Sequence, residues 1–140
     1  MKAYIKSIEG LTLVGKADSG HWVPIDTVRQ LHGNEGGTKP MELVLLALGS
    51  CTAMDVLSII KKMRITLNDF KIDIEADNAD EHPKVFTKIT LNYRFYGQEL
   101  DKEKLEKAIN LSQDRYCSVS AMLSKTAEIE YNIQINDKDA

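Results

Sequence analysis

The sequence predicts an α+β protein with the element order β-β-β-α-β-β-α-α-β, and three observations carry that prediction. Blocks of period-two alternation stand at 72–76, 85–95 and 127–135. A long, strongly apolar helical segment follows a glycine-rich loop, and a second helical pattern lies between the last two strand blocks. At 140 residues and 43% apolar content the chain has the length and the core material of one domain, so residues 1–140 are read as a single unit.

The early region alternates weakly, with Ala3, Ile5 and Ser7 set against Tyr4, Lys6 and Ile8, and Leu11 and Leu13 following Glu9-Gly10. This predicts a β-hairpin, with a third strand around Trp22-Val23 after Asp18-Ser19-Gly20. Between Arg29 and Gly37 the residues Gly33, Asn34, Gly36 and Gly37 mark a loop. A helix follows over Met41–Met63, with the Thr38 hydroxyl as its cap and Pro40 tolerated in its first turn. Its first half is apolar on nearly every face, which predicts passage through the interior, and Lys61, Lys62 and Arg64 suit its C-terminal dipole.

Ile72, Ile74 and Ala76 form one strand face, and Val85, Thr87, Ile89, Leu91, Tyr93 and Phe95 share one side of the next. The second helix starts at Asp101 and points Leu105, Ala108, Ile109 and Ser112 inward, with Leu100 and Leu105 fitting a hydrophobic staple. A short helix over Ser118 to Leu123 precedes the last strand, Ala127 to Ile135.

A formal net charge of −3 without a basic block gives no electrostatic reason to expect nucleic acid or an anionic membrane as partner. The N-terminal residues lack a signal peptide's apolar core, and the longest apolar run, Leu43 to Leu48, is too short to span a bilayer. A reducing cytoplasm is the expected location, where a cycling disulfide is ordinary and a permanent one is not.

Two cysteines occur, Cys51 midway along the apolar helix and Cys117 just after the second helix. Such a pair fits a two-thiol redox site; it also fits two small buried apolar residues, the ordinary fate of free cysteine. His21, His32 and His82 are dispersed and there is no Cys-x-x-Cys, so the spacing gives no zinc site.

The run Gly36-Gly37-Thr38-Lys39-Pro40-Met41-Glu42-Leu43, a cysteine nine residues after the glutamate, and a second cysteine 66 positions later within Tyr116-Cys117-Ser118-Val119-Ser120 resemble the OsmC / organic hydroperoxide resistance family. The resemblance extends over the whole chain. It implies an OsmC-like fold, an intertwined homodimer with the cysteine-bearing helices at its centre, and active sites at the subunit interface. It also implies a thiol peroxidase in which Cys51 attacks an organic hydroperoxide, yields an alcohol and a sulfenic acid, and Cys117 closes a disulfide. No bound cofactor is implied, only an external dithiol or thiol-protein reductant. The alternative is a non-catalytic dimer of this fold that binds a small apolar ligand or senses oxidant.

A cysteine on a buried apolar helix has its thiolate disfavoured, so the family chemistry calls for a cation. By resemblance Glu42 corresponds to the carboxylate near the helix start that holds an arginine, and Arg29 is the counterpart of that arginine if a two-residue insertion is allowed. The N-terminal strands carry only Lys2, Lys6 and Lys16. His21 and Lys16 are substitute cations, Arg115 lies two residues from Cys117, and Tyr116 reads as packing. Asp55, one turn past Cys51, is an anion that opposes thiolate formation.

Overall fold

A computed structural model describes residues 1–136. They fall into two compact units, Met1–Leu46 and the part from Ala47 onward, with the boundary inside one long helix.

In the first unit, β1 (Ala3–Glu9), β2 (Thr12–Ala17) and β3 (Val23–Ile25) form an antiparallel sheet in that order. Gly10 makes the β1–β2 turn at φ +55°, in the left-handed region that glycine enters without a Cβ penalty. Every residue of β1 is exposed, including Tyr4, Ile5 and Ile8. Lys16 is committed to this sheet, its Nζ 4.7 Å from the centre of the Trp22 ring.

The loop after β3 is organised by Asp26, which is buried. Its carboxylate accepts from the N–H of Thr27 at 2.7 Å and of Gly36 at 3.0 Å, from the Thr12 hydroxyl at 2.9 Å, and from the N–H of Asn34 at 3.3 Å. Burial alone would push this carboxyl up; the four donors outweigh it and hold it below the ordinary carboxylate value. Gly37 has a packing reason to be glycine, since a Cβ there would meet the Ile25 nitrogen at 2.6 Å.

Helix α1 spans Pro40–Lys62, beginning one residue earlier than the sequence predicts. Thr38 is part of an extended bridge rather than the cap: its N–H donates to the Pro24 carbonyl and its own carbonyl accepts from Asp26. The first turn is closed by Glu42, whose Oε2 accepts the Lys39 N–H at 2.9 Å, which is half of a capping box.

The second unit contains the rest of α1, β4 (Asp69–Asn78), β5 (Phe86–Tyr96), α2 (Lys102–Leu111), α3 (Ser118–Leu123) and β6 (Glu128–Asn136). The sheet order is β4-β5-β6, with β4 antiparallel and β6 parallel to β5. Asp101 caps α2, accepting from the N–H of Glu103 and Lys104. The predicted inner stripe Leu105, Ala108, Ile109 and Ser112 is fully buried, each large apolar member contributing about 1.5–3 kcal/mol.

Two further expectations are corrected. Ile89, Leu91, Tyr93 and Phe95 share the buried face of β5, but Thr87 is exposed and Val85 lies outside the strand. Lys88 pairs with Asp77 and Phe86 with Asn78, so Thr87 is a bulge residue and the inward face shifts to Phe86. Nor is α1 buried all round within the chain. Leu48, Gly49, Thr52, Val56 and Ile60 form its buried stripe, whereas Met54 is 71% exposed and Leu57 is exposed too. Gly49 permits close approach to β4, because a Cβ there would meet Ile74 Cδ1 at 2.5 Å. By length and composition the whole helix is also long and apolar enough to cross a membrane, a property shared by core helices of soluble proteins.

Candidate functional site

The second unit brings Cys51 and Cys117 together. The register that does so begins in α2, whose last turn widens into a π turn over Ser112–Tyr116. The Cys117 N–H donates to the Ser112 carbonyl at 2.8 Å, and Cys117 then caps α3, its Sγ accepting the Ser120 N–H at 3.4 Å. Such a π turn inserts one residue into the helical phase and re-aims the segment after it. Cys117 is buried, Cys51 is half-buried, and both are free thiols.

Asp55 completes the cluster. One sulfur from each cysteine and one Asp55 carboxylate oxygen all lie within 4.8 Å of one another. Cys51 and Asp55 occupy one face of α1 by their four-residue spacing, and Cys117 arrives from the start of α3. Spacing in the sequence could not place these three donors together. They are one short of the four ligands of a structural zinc site, and His21 and His32 lie exposed in the first unit.

Burial pushes the Cys51 thiol up from its ordinary value, and the neighbouring Cys117 thiol adds to the rise. The Val119 N–H pulls the other way, while the Asp55 carboxylate pushes up again. Thus the strongest influences on Cys51 are those of a protonated thiol.

Beneath the cluster runs a buried hydrogen-bond chain. The hydroxyls of Thr52 and Tyr93 lie 2.6 Å apart, those of Thr52 and Ser112 lie 3.0 Å apart, and Ser112 donates to Asp55 Oδ2 at 3.1 Å. An ionised carboxylate only accepts, which fixes the direction: Tyr93 donates to Thr52, Thr52 to Ser112, and Ser112 to Asp55. The Gln113 Nε2 donates to both Thr52 Oγ1 and Tyr93 Oη at 3.1 Å. Burial pushes the Tyr93 phenol up to about 12, against the hydrogen bonds it shares with Thr52 and receives from Gln113. Sequence reasoning missed Thr52, Tyr93 and Gln113. The available signal was a hydroxyl at two core positions, Thr52 beside Cys51 and Ser112 on the inner stripe of α2.

Glu42 and Arg29 belong to the first unit, each with a local partner. The Arg29 Nε sits 3.3 Å from Glu35 Oε2 and its side chain is 77% exposed. The Lys39 N–H, and then its ammonium at 3.2 Å, hold the Glu42 carboxyl below its ordinary value. Glu42 thus engages a lysine. Arg115 and Tyr116 are exposed, and Tyr116 with Asp55, Ser58, Ile59, Lys62 and Leu111 lines a depression of about 270 Å³ that opens beside the cluster.

A family model for OsmC-like proteins matches residues 32–132. The chain belongs to the OsmC-like family. The match includes Glu42, Cys51 and Cys117 and begins beyond Arg29. Protein YhfA of Escherichia coli K12 is 36% identical over 137 residues, covering 96% of this chain and 98% of that protein. A structure from structural genomics, 33% identical, covers 97% of this chain and 98% of its own with a TM-score of 0.86. The organic hydroperoxide resistance protein OhrB of Bacillus subtilis, 18% identical, has a TM-score of 0.68 over 96% of this chain and 98% of its own, and shares the fold. This OsmC-like chain therefore keeps the family's α+β architecture.

Proposed function

We propose that this OsmC-like protein reduces organic hydroperoxides through a Cys51–Cys117 dithiol/disulfide cycle. The observation that carries the reading is the proximity of the two sulfurs at the junction of α1 and α3. Cys51 sulfur takes the terminal peroxide oxygen, giving a sulfenic acid and an alcohol. The Cys117 thiol then displaces water from that sulfenic acid to close a disulfide. An external dithiol reopens it by exchange, without a bound cofactor, in the reducing cytoplasm. Cys51 is the attacking thiol because it is the more accessible of the two.

The working form is proposed to be a homodimer. The uncovered face of α1 and the fully exposed β1 leave Met54, Leu57, Tyr4, Ile5 and Ile8 in solvent in one chain, and a closed two-fold assembly is the commonest way to cover such surface. In that assembly Glu42 and Arg29 are the residues proposed to complete the site, as the family resemblance implies.

A second reading is favoured by the elevated Cys51 thiol: an oxidant-sensing or ligand-binding dimer that forms the disulfide slowly and does not turn over. Stopped-flow consumption of cumene hydroperoxide with a dithiol reductant separates the two. Sustained turnover that disappears in Cys51→Ser supports the peroxidase; equal consumption by Cys51→Ser and the parent rejects it.

A further inference from the structure

We propose that Asp55 is the proton acceptor for the Cys51 thiol, taking its proton at the moment of reaction. The inference rests on the dithiol reading above and adds a catalytic residue to it.

The Asp55 carboxylate lies within 4.8 Å of both sulfurs, a separation that a side-chain rotation or one water closes. It is oriented by Ser112, at the end of a chain of hydroxyls that all donate toward it. A carboxylate offers several acceptor positions on two oxygens, so the bond from Ser112 leaves room for a proton.

Charge balance favours the same transfer. Loss of the Cys51 proton to solvent would place a thiolate beside the Asp55 anion in a partly dry site, where two like charges oppose each other. Transfer of the same proton to Asp55 leaves the cluster with one negative charge before and after. The anion that disfavours a resting thiolate is therefore the group that makes the deprotonation step charge-neutral. The other groups facing the cluster are Cys117 at the start of α3, Lys62 and Tyr116 on the depression beside Asp55, and Tyr93 through Thr52.

In the balanced step the S–H bond of Cys51 breaks, its proton passes to Asp55, and sulfur bonds to the terminal oxygen of R–O–O–H. The O–O bond breaks, and the departing RO⁻ takes a proton from the Asp55 carboxyl to leave as ROH. Asp55 ends as a carboxylate and Cys51 as a sulfenic acid.

The test compares two readouts that a purely electrostatic or structural Asp55 would move together. Thiolate ultraviolet absorbance in the Cys117→Ser background titrates Cys51, and single-turnover oxidation by cumene hydroperoxide measures the chemical step. Asp55→Asn should lower the thiol titration, because the opposing anion is gone, yet slow oxidation at pH 7 by about 100-fold or more. Asp55→Glu should recover part of the rate. Asp55→Asn oxidised as fast as its parent, or faster, would overturn the proposal. Should the substitutions unfold the protein, the Cys117→Ser background alone decides: its oxidation rate should persist at a pH well below the thiol titration, and a rate that tracks the thiolate absorbance overturns the idea. If peroxide is not consumed at all, the peroxide reading fails by itself, and a small disulfide such as cystine serves as the electrophile in the same comparison.

Discussion

The hydroxyls of Thr52 and Tyr93 meet at 2.6 Å in the fully buried core, linking α1 to the centre of the β4-β5-β6 sheet directly beside the cysteine pair. Thr52 also touches Ser112 and Gln113, so a single hydroxyl ties the helix of Cys51 to the π turn that places Cys117. Thr52→Val keeps the shape but leaves the Tyr93 and Ser112 hydroxyls and the Gln113 amide short of partners. The expected cost is about 1–3 kcal/mol, the usual range for orphaned buried polar groups. A urea midpoint unchanged from the parent would show that these groups find other partners.

A separate prediction concerns the glycine-rich motif. Gly37→Ala drives a methyl into the Pro24–Ile25 backbone, which cannot yield as a side-chain tip would. Destabilisation of about 1–3 kcal/mol is expected, in the overpacking range. Gly10→Ala meets no atom within 4 Å and carries only the strain of its positive φ. Thermal unfolding of the two variants side by side checks both the clash and the strain.

The loop around Asp26 gives a pH prediction. Its folded carboxyl is held below the ordinary value by four donors. A depressed folded pKa stabilises above the unfolded value and loses that contribution as pH falls through the folded one. Acid below about pH 4 should therefore weaken the protein partly through Asp26. Asp26→Asn should have a lower urea midpoint at pH 7 and a flatter decline across the acid range; an equally steep decline in the variant would assign the acid sensitivity elsewhere.

How much of the fold and the site is legible in the sequence depends on the range of the interaction. The buried face of Ile89, Leu91, Tyr93 and Phe95 follows from period-two alternation, a local property, and the element order follows with it. Thr87 departs from that alternation because the bulge arises from pairing with Asn78 across the hairpin. Thr38 has the chemistry of a cap, yet its backbone is taken by Pro24 and Asp26. The cysteines are visible as residues, but their meeting depends on a π turn and on a packing event 66 residues away in sequence. The hydroxyl chain from Tyr93 to Asp55 spans separate segments of the chain, and no spacing rule reports it. Asp55 illustrates the difference: as a neighbour one turn from Cys51 it reads as an opposing charge, and in three dimensions it is also an oriented base.

The exposed apolar surface leads to a prediction about assembly. Met54 and Leu57 on α1, and Tyr4, Ile5 and Ile8 on β1, are large apolar side chains left uncovered in one chain. Light scattering at micromolar protein should give about twice the 15.7 kDa chain mass. Met54→Glu should shift that equilibrium toward the monomer, because an interface core excludes a charge. A parent that is monodisperse at the chain mass contradicts the dimer.

Cys117→Ser tests the division of labour between the thiols. The parent should form one internal disulfide per chain on exposure to cumene hydroperoxide and lose both free thiols together, since the sulfenic acid on Cys51 has a resolving thiol within 4.8 Å. Without Cys117 the first oxygen transfer still occurs, but the sulfenic acid has no internal partner and proceeds to sulfinic acid as peroxide accumulates. Intact-mass spectrometry should then show a loss of two hydrogens in the parent, against successive additions of oxygen in Cys117→Ser and neither change in Cys51→Ser. The serine at position 117 also removes a thiol that raises the Cys51 pKa, so Cys51 in this variant should titrate at a lower pH than in the parent. Successive oxygen additions in Cys51→Ser, with Cys117 intact, would reverse the two roles: Cys117, though the more deeply buried sulfur, would then be the one that meets peroxide first.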